Sequence, residues 1–215
     1  IKYEDRFKRN FTMKIKVIRE DEDNLINLIS SLYKQGGNIG VIVNTVKKAQ
    51  DLAKEIEEVF GNDSFELIHS RFIDTHRIKK EEELLKQIGK NASRPDKKIY
   101  IGTQVIEQSL DIDFDIMITE LAPIDLVLQR SGRLQRHNIK RSEYYKKPTL
   151  YVIGTSEKLE FDEGSSFVYS SYLLARSQYF LPDEIIIPDD LSKLVQKVYS
   201  DEDIKLDKNL DSVYK

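Results

Sequence analysis

Apolar and polar positions follow two rhythms along this chain. FTMKIKVIRE (11–20) alternates with a period of two, which predicts a strand. Leu25, Leu28, Ile29 and Leu32 then fall on one helix face, closed by Gly36-Gly37. IGVIVNT (39–45) is a continuous apolar run, the pattern of a strand buried on both faces. Ala49, Leu52, Ala53, Ile56, Val59 and Phe60 mark the next helix, which ends at Gly61. The pairing repeats with FELIH (65–69), a charged helix from Asp74 or Thr75 to about Gly89, and KKIYIGT (97–103). FDIMITE (114–120) leads into a helix opened by Pro123, and TLYVIG (149–154) closes the series. Strands separated by amphipathic helices predict an α/β fold, an open parallel sheet flanked by helices. Beyond residue 160 the pattern changes to a helix near 166–180, a Pro-bounded segment and a helix near 190–200, expected as a mostly helical C-terminal extension.

Composition narrows the reading. The 215 residues suit one large domain, or one with a tail; 40% are hydrophobic, enough for a core, and 33% are charged. No apolar run approaches the roughly 18 residues of a membrane span, and no signal-peptide pattern opens the chain. The absence of cysteine excludes disulfides and thiol nucleophiles and fits a cytoplasmic location. A net charge of −3 leaves no general attraction for nucleic acid, so contacts with it must come from a few placed donors. The chain begins at Ile1 in mid-pattern, which suggests a piece of a longer protein.

In a parallel α/β sheet, ligands bind beyond the carboxyl ends of the strands. The polar residues expected along that rim are Asn44-Thr45, His69-Ser70-Arg71, Gly102-Thr103-Gln104 and Glu120. For Asn44-Thr45, helix capping and ligand binding stand as equal alternatives. Gly102 lets a backbone approach a phosphate, and Thr103 offers a hydroxyl and an amide. QRSGRLQR (129–136) is the sharpest element. On a helix, Arg133 and Arg136 share a face with Gln129 one turn earlier, and guanidinium groups so placed can clamp a phosphoryl group. The alternative is a solvated basic face. Gly132 inside that helix would cost about 0.5–1 kcal/mol against Ala, which points to close approach by another backbone. No GxxxxGK[ST] loop is present; Asp21-Glu22 reads as acids complementing a helix dipole, and His69, His76 and His137 fit no zinc spacing. The carboxylates of DIDFD (111–115) are too close to the strand start to form a spaced acid/base pair.

A Gly-Thr at a strand end, an Asp eight residues after the Thr, then Q-R-x-G-R-x-x-R resembles the second RecA-like lobe of superfamily 2 helicases. More narrowly, TQVIEQSLDIDFD, LAPIDLVLQR, GRLQRH and HSRF look like the helicase-nuclease of type I CRISPR interference systems, over roughly residues 35–155. The resemblance implies a division into an N-terminal strand or linker from a missing upstream lobe (1–20), a RecA-like C-terminal lobe (21–157) and an extension (158–215). It implies a motor that uses ATP with Mg2+, bound mainly by the missing lobe, and moves along single-stranded DNA. Thr103, with Gly102 and Gln104 beside it, would contact a DNA phosphate, and Arg71 would flank the DNA path. Asp111 would touch the ATP ribose. Gln129, Arg133 and Arg136 would face the triphosphate, with Arg136 as the arginine finger; Arg130 would support an interface. Glu107, in EQS (107–109), stands where RNA helicases typically carry Arg-Gly, which favours DNA. Implied partners are the upstream lobe, a nuclease domain or subunit and an RNA-guided surveillance complex. Alone, the chain is expected to hydrolyse no ATP. The rival readings are another superfamily 2 DNA or RNA helicase and a non-catalytic α/β nucleic-acid-binding module.

Overall fold

The computed structural model describes residues 12–69, 74–107 and 111–200; the side chains of 74–77 and 107 lie outside that description. Its strands are β1 (Met13–Arg19), β2 (Gly37–Ile42), β3 (Phe65–Ile68), β4 (Lys97–Gly102), β5 (Ile116–Glu120), β6 (Thr149–Ile153) and β7 (Glu184–Ile187). The helices are α1 (Leu25–Lys34), α2 (Val46–Phe60), α3 (Asp74–Ile88), α4 (Ile124–Ser131), α5 (Glu163–Val168), α6 (Ser171–Phe180) and α7 (Leu191–Val198). They form one seven-stranded sheet in the order β3-β4-β2-β5-β6-β1-β7, parallel except for the β1–β7 pair.

The expected α/β architecture follows from what the inner strands bury. Along β2, β4 and β5, Ile39, Val41, Ile99, Ile101, Ile116 and Ile118 pack under α1 and α2. The alternate residues Ile42, Tyr100 and Met117 pack on the opposite face with α3, α4, α6 and α7. A strand covered on both faces has no use for polar alternation, which is why these segments read as continuous apolar runs. Gly40 breaks the run for a packing reason: a Cβ there would lie 2.8 Å from the Phe114 ring.

Both flanks of the lobe contribute a strand to the sheet. The strand assigned to a separate N-terminal linker is an inner member of this sheet, in register with β6 (Val17↔Leu150) and with β7 (Ile15↔Ile185). Its buried Met13, Ile15 and Val17 belong to the same core as α4 and α6, so the sheet does not stop at residue 20. The Pro-bounded segment of the otherwise helical extension supplies β7, which closes that edge of the sheet. Among the described residues no helix is long and apolar enough to cross a membrane.

Candidate functional site

The sheet separates the sequence-derived candidates into two groups at opposite ends of its strands. At the carboxyl ends, Ile42 of β2 lies between Gly102 of β4 and Thr119 of β5, which brings Asn44, Thr45, Thr103, Gln104 and Glu120 to one rim. At the entry to β5, residues 111–115 meet the turn that follows α4: Phe114 bridges Leu134 in parallel. The five residues of β5 separate the two groups by roughly 17 Å.

The rim is a hydrogen-bonded assembly built on a buried carboxylate. Glu120 accepts from the Asn44 amide (2.6 Å), Lys48 Nζ (2.6 Å) and Ser165 Oγ (2.7 Å). Lys48 also reaches Glu22 (2.9 Å) and Asp162 (3.3 Å). Burial pushes the Lys48 ammonium down, but Glu120 and Glu22 outweigh it and hold its pKa above the ordinary lysine value. Asn44 takes the structural role: its side chain donates to the Leu121 carbonyl (2.8 Å) and to Ser165 (3.0 Å). Thr45 is the N-cap of α2, accepting from the Lys48 amide at 3.2 Å. Gln104 donates to the Asn44 carbonyl (2.9 Å) and to the Tyr169 hydroxyl (3.1 Å).

Any side chain at Gly102 would force its surroundings to shift, because a Cβ would lie 2.2 Å from Ile106 Cδ1 and 2.9 Å from the Ile68 carbonyl oxygen. Thr103 is fully buried, and its hydroxyl has no hydrogen-bond partner among the described residues. An orphaned buried hydroxyl in a folded protein calls for an explanation. Arg71 lies outside the described residues, as does the side chain of Glu107.

The arginines at the other end depart from the expected helix. α4 stops at Ser131, with Gly132 as its C-cap at φ −63°. Arg133 and Arg136 therefore lie on the following turn rather than on a helix face, and Gln135 at φ 45° bends the chain between them. The close approach inferred at Gly132 is not made by a distant segment: the nearest atom to a Cβ there is the Gln129 carbonyl oxygen of its own turn, at 3.1 Å. Gln129 is exposed, while Arg133 and Arg136 are partly buried. Arg136 Nε donates to Asp111 at 2.7 Å, and His137 Nε2 lies 3.4 Å from the same carboxylate. The pair is open to solvent, the Arg136 side chain being 33% and Asp111 50% exposed.

Arg130 has the opposite character. Fully buried, its guanidinium reaches back from the end of α4 to the rim, donating to Thr119 Oγ1 (2.8 Å), the Glu120 carbonyl (2.9 Å) and Asn44 Oδ1 (3.3 Å). It is a strut inside the lobe.

Sequence reasoning missed the ion-pair cluster beneath the arginine turn. Asp113 and Asp115 are buried, and Arg141 forks between them, at 2.6 Å from Asp113 and in direct contact with Asp115 Oδ1. Arg94 reaches Asp115 at 3.0 Å. Burial alone pushes the Asp115 carboxyl up, but Arg94, the Asn38 amide and Arg141 hold it below the ordinary carboxylate range. The signal was present in DIDFD, whose acids at period two enter a buried strand; buried carboxylates require cationic partners. Among the described residues no group of three His, Cys, Asp or Glu side chains is placed to hold a metal ion.

The parallel core, the Gly-Thr strand end and the arginine turn facing an aspartate define a second RecA-like lobe of the superfamily 2 helicase type. The family model for the C-terminal region of CRISPR-associated nuclease/helicase Cas3 matches residues 35–139. The chain is 54% identical over 194 residues to the CRISPR-associated nuclease/helicase Cas3 of Streptococcus thermophilus, covering 90% of this chain and 21% of that protein. It superposes on the crystal structure of T. fusca Cas3-AMPPNP with a TM-score of 0.83 and 31% identity, over 93% of this chain and 25% of that one. A chain of a CRISPR RNA-guided surveillance complex, pre-nicking, matches with a TM-score of 0.79 and 29% identity, over 94% of this chain and 26% of that one. The chain is similar to the C-terminal helicase lobe of Cas3 proteins, and it spans about a fifth of the length of the curated relative from S. thermophilus.

Proposed function

We propose that this chain is the C-terminal motor lobe of an ATP-dependent single-stranded DNA translocase in CRISPR interference, working with an RNA-guided surveillance complex. The observation that carries the reading is the separation of two polar ends, a rim whose buried Thr103 hydroxyl has no hydrogen-bond partner among the described residues and an exposed Asp111–Arg136 pair. The similarity to T. fusca Cas3-AMPPNP supports the use of ATP.

The residues present fit ATP as half of a site. Arg136 supplies a fork of donors for phosphate oxygens, and Asp111 supplies acceptors for ribose hydroxyls. Gln129 and Arg133 flank them on α4 and the following turn. ATP with Mg2+, held mainly by an upstream lobe, supplies the phosphoryl transfer that powers movement. Arg136 in this lobe would exchange Asp111 for the triphosphate and meet negative charge as it develops. With no GxxxxGK[ST] loop in its sequence, the lobe alone is expected to hydrolyse no ATP. At the rim, Gly102, Thr103 and Gln104 would hold the DNA backbone, with Arg71 alongside.

Thr103→Val in the full-length protein tests this division. The substitution keeps the shape and deletes a hydroxyl that is unsatisfied among the described residues, so it should leave stability unchanged or raise it by about 1 kcal/mol. DNA-stimulated ATP turnover should fall while nucleotide affinity stays intact, because the two ends are a strand length apart. Unchanged stimulation by single-stranded DNA, or equal losses in stimulation and nucleotide affinity, would remove Thr103 from the DNA path.

A further inference from the structure

We propose that Asp113, held by Arg141, is a positioning residue for Arg136: its carboxylate fixes the backbone from which the Arg136 guanidinium is presented. The proposal rests on the reading of Arg136 as the group that meets the triphosphate.

The geometry is specific to that turn. Asp113 is fully buried, yet both of its carboxylate oxygens face the arginine segment. Oδ1 accepts from the Arg136 amide at 3.2 Å, and Oδ2 accepts from the His137 amide at 3.1 Å. Oδ2 also accepts from Arg141 Nη2 at 2.6 Å, and that nitrogen donates again to the His137 carbonyl at 3.0 Å. One carboxylate and one guanidinium thus hold consecutive peptide groups on either side of His137.

Asp113 is itself anchored. Its amide donates to the Ile88 carbonyl at 2.9 Å, and its carbonyl accepts from Arg94 at 2.8 Å. Upstream, the Phe114 amide donates to the Arg133 carbonyl at 2.9 Å and the Gln135 amide donates to the Phe114 carbonyl at 2.8 Å. The turn from Arg133 to His137 therefore has its backbone fixed on residues 113 and 114, with Asp111 two residues before aiming the side chain at 2.7 Å.

A buried carboxylate is expensive, and an apolar residue would pack the same space without that cost. A surface turn could also tolerate looser bonding. The charge makes sense where the position of a guanidinium must be held to a fraction of an ångström, since a displacement of about 1 Å at a reacting group can cost about 10²-fold in rate. Anchoring the backbone also leaves the Arg136 side chain free to leave Asp111.

The test is a double-mutant cycle in the full-length protein, reading single-turnover ATP hydrolysis, AMPPNP affinity and single-stranded DNA affinity. Asp113→Asn should lower the rate at least about tenfold, with both affinities held within about threefold. In an Arg136→Ala background the same substitution should cost less than about threefold, because the residue it positions is gone. Equal losses in both backgrounds would assign Asp113 to stability alone and overturn the proposal, as would an unchanged rate in the Arg136 protein. If Arg136→Ala by itself leaves the rate intact, the reading of the finger fails, and the proposal with it. Should Asp113→Asn not fold, Arg141→Lys enters the same cycle. A single ammonium keeps the charge but cannot bridge Asp113, Asp115 and the His137 carbonyl in the plane of the fork. The same non-additivity with Arg136→Ala is expected, and additivity overturns the proposal.

Discussion

Arg136→Lys in the full-length protein should lower ATP turnover at least about a hundredfold, below the 10³–10⁵ typical of arginine fingers. Lysine keeps the charge but loses the planar fork, and the loss should fall on the chemical step rather than on ATP affinity. Stability should hardly move. The Asp111 pair that Arg136 makes is half open to solvent, and such pairs contribute about 0.2–1 kcal/mol. Single-turnover rate and melting temperature on one preparation separate this from a merely structural role, which would reverse the two effects. A stable, fully active lysine variant would end the finger assignment of Arg136, and Arg133 would be the next to try.

Arg130→Met should do the reverse. Six residues from Arg136, Arg130 is fully buried and supplies donors to Thr119, the Glu120 carbonyl and Asn44 Oδ1. Methionine fills most of the volume but leaves those buried acceptors short of donors, a loss of about 3–5 kcal/mol. In the full-length protein this should appear as lost amide-exchange protection over α4 and the end of β5. Turnover per folded molecule should fall far less than in Arg136→Lys. Retained protection would mean that another donor replaces the guanidinium and that Arg130 is no strut.

These two arginines show where the sequence was legible and where it was not. The run QRSGRLQR announced concentrated cationic chemistry, but helical spacing alone put Arg133 and Arg136 on one face. It could not register that Leu134 leaves the helix to bridge Phe114, or that Gly132 ends α4 instead of interrupting it. The inner strands were readable because Ile39, Ile99 and Ile116 and their neighbours are buried on both faces, so their apolar runs needed no partner to be recognised. β7 was hidden because Pro182 and Pro188 bracket it, and its four residues are a strand only by pairing with β1. The Asp113–Arg141 pair was out of reach for a different reason. Buried acids in DIDFD demand cations, but nothing local says that one of them lies 28 residues away.

The most direct measurement is a structure of the full-length protein with ADP, magnesium, aluminium fluoride and single-stranded DNA. The expected result is an Arg136 guanidinium that has left Asp111 and lies within about 3.2 Å of the fluoroaluminate, with its backbone still on Asp113. Arg136 still paired with Asp111, and the fluoroaluminate contacted by no residue of this lobe, would contradict the assignment of this chain as half of an ATP site.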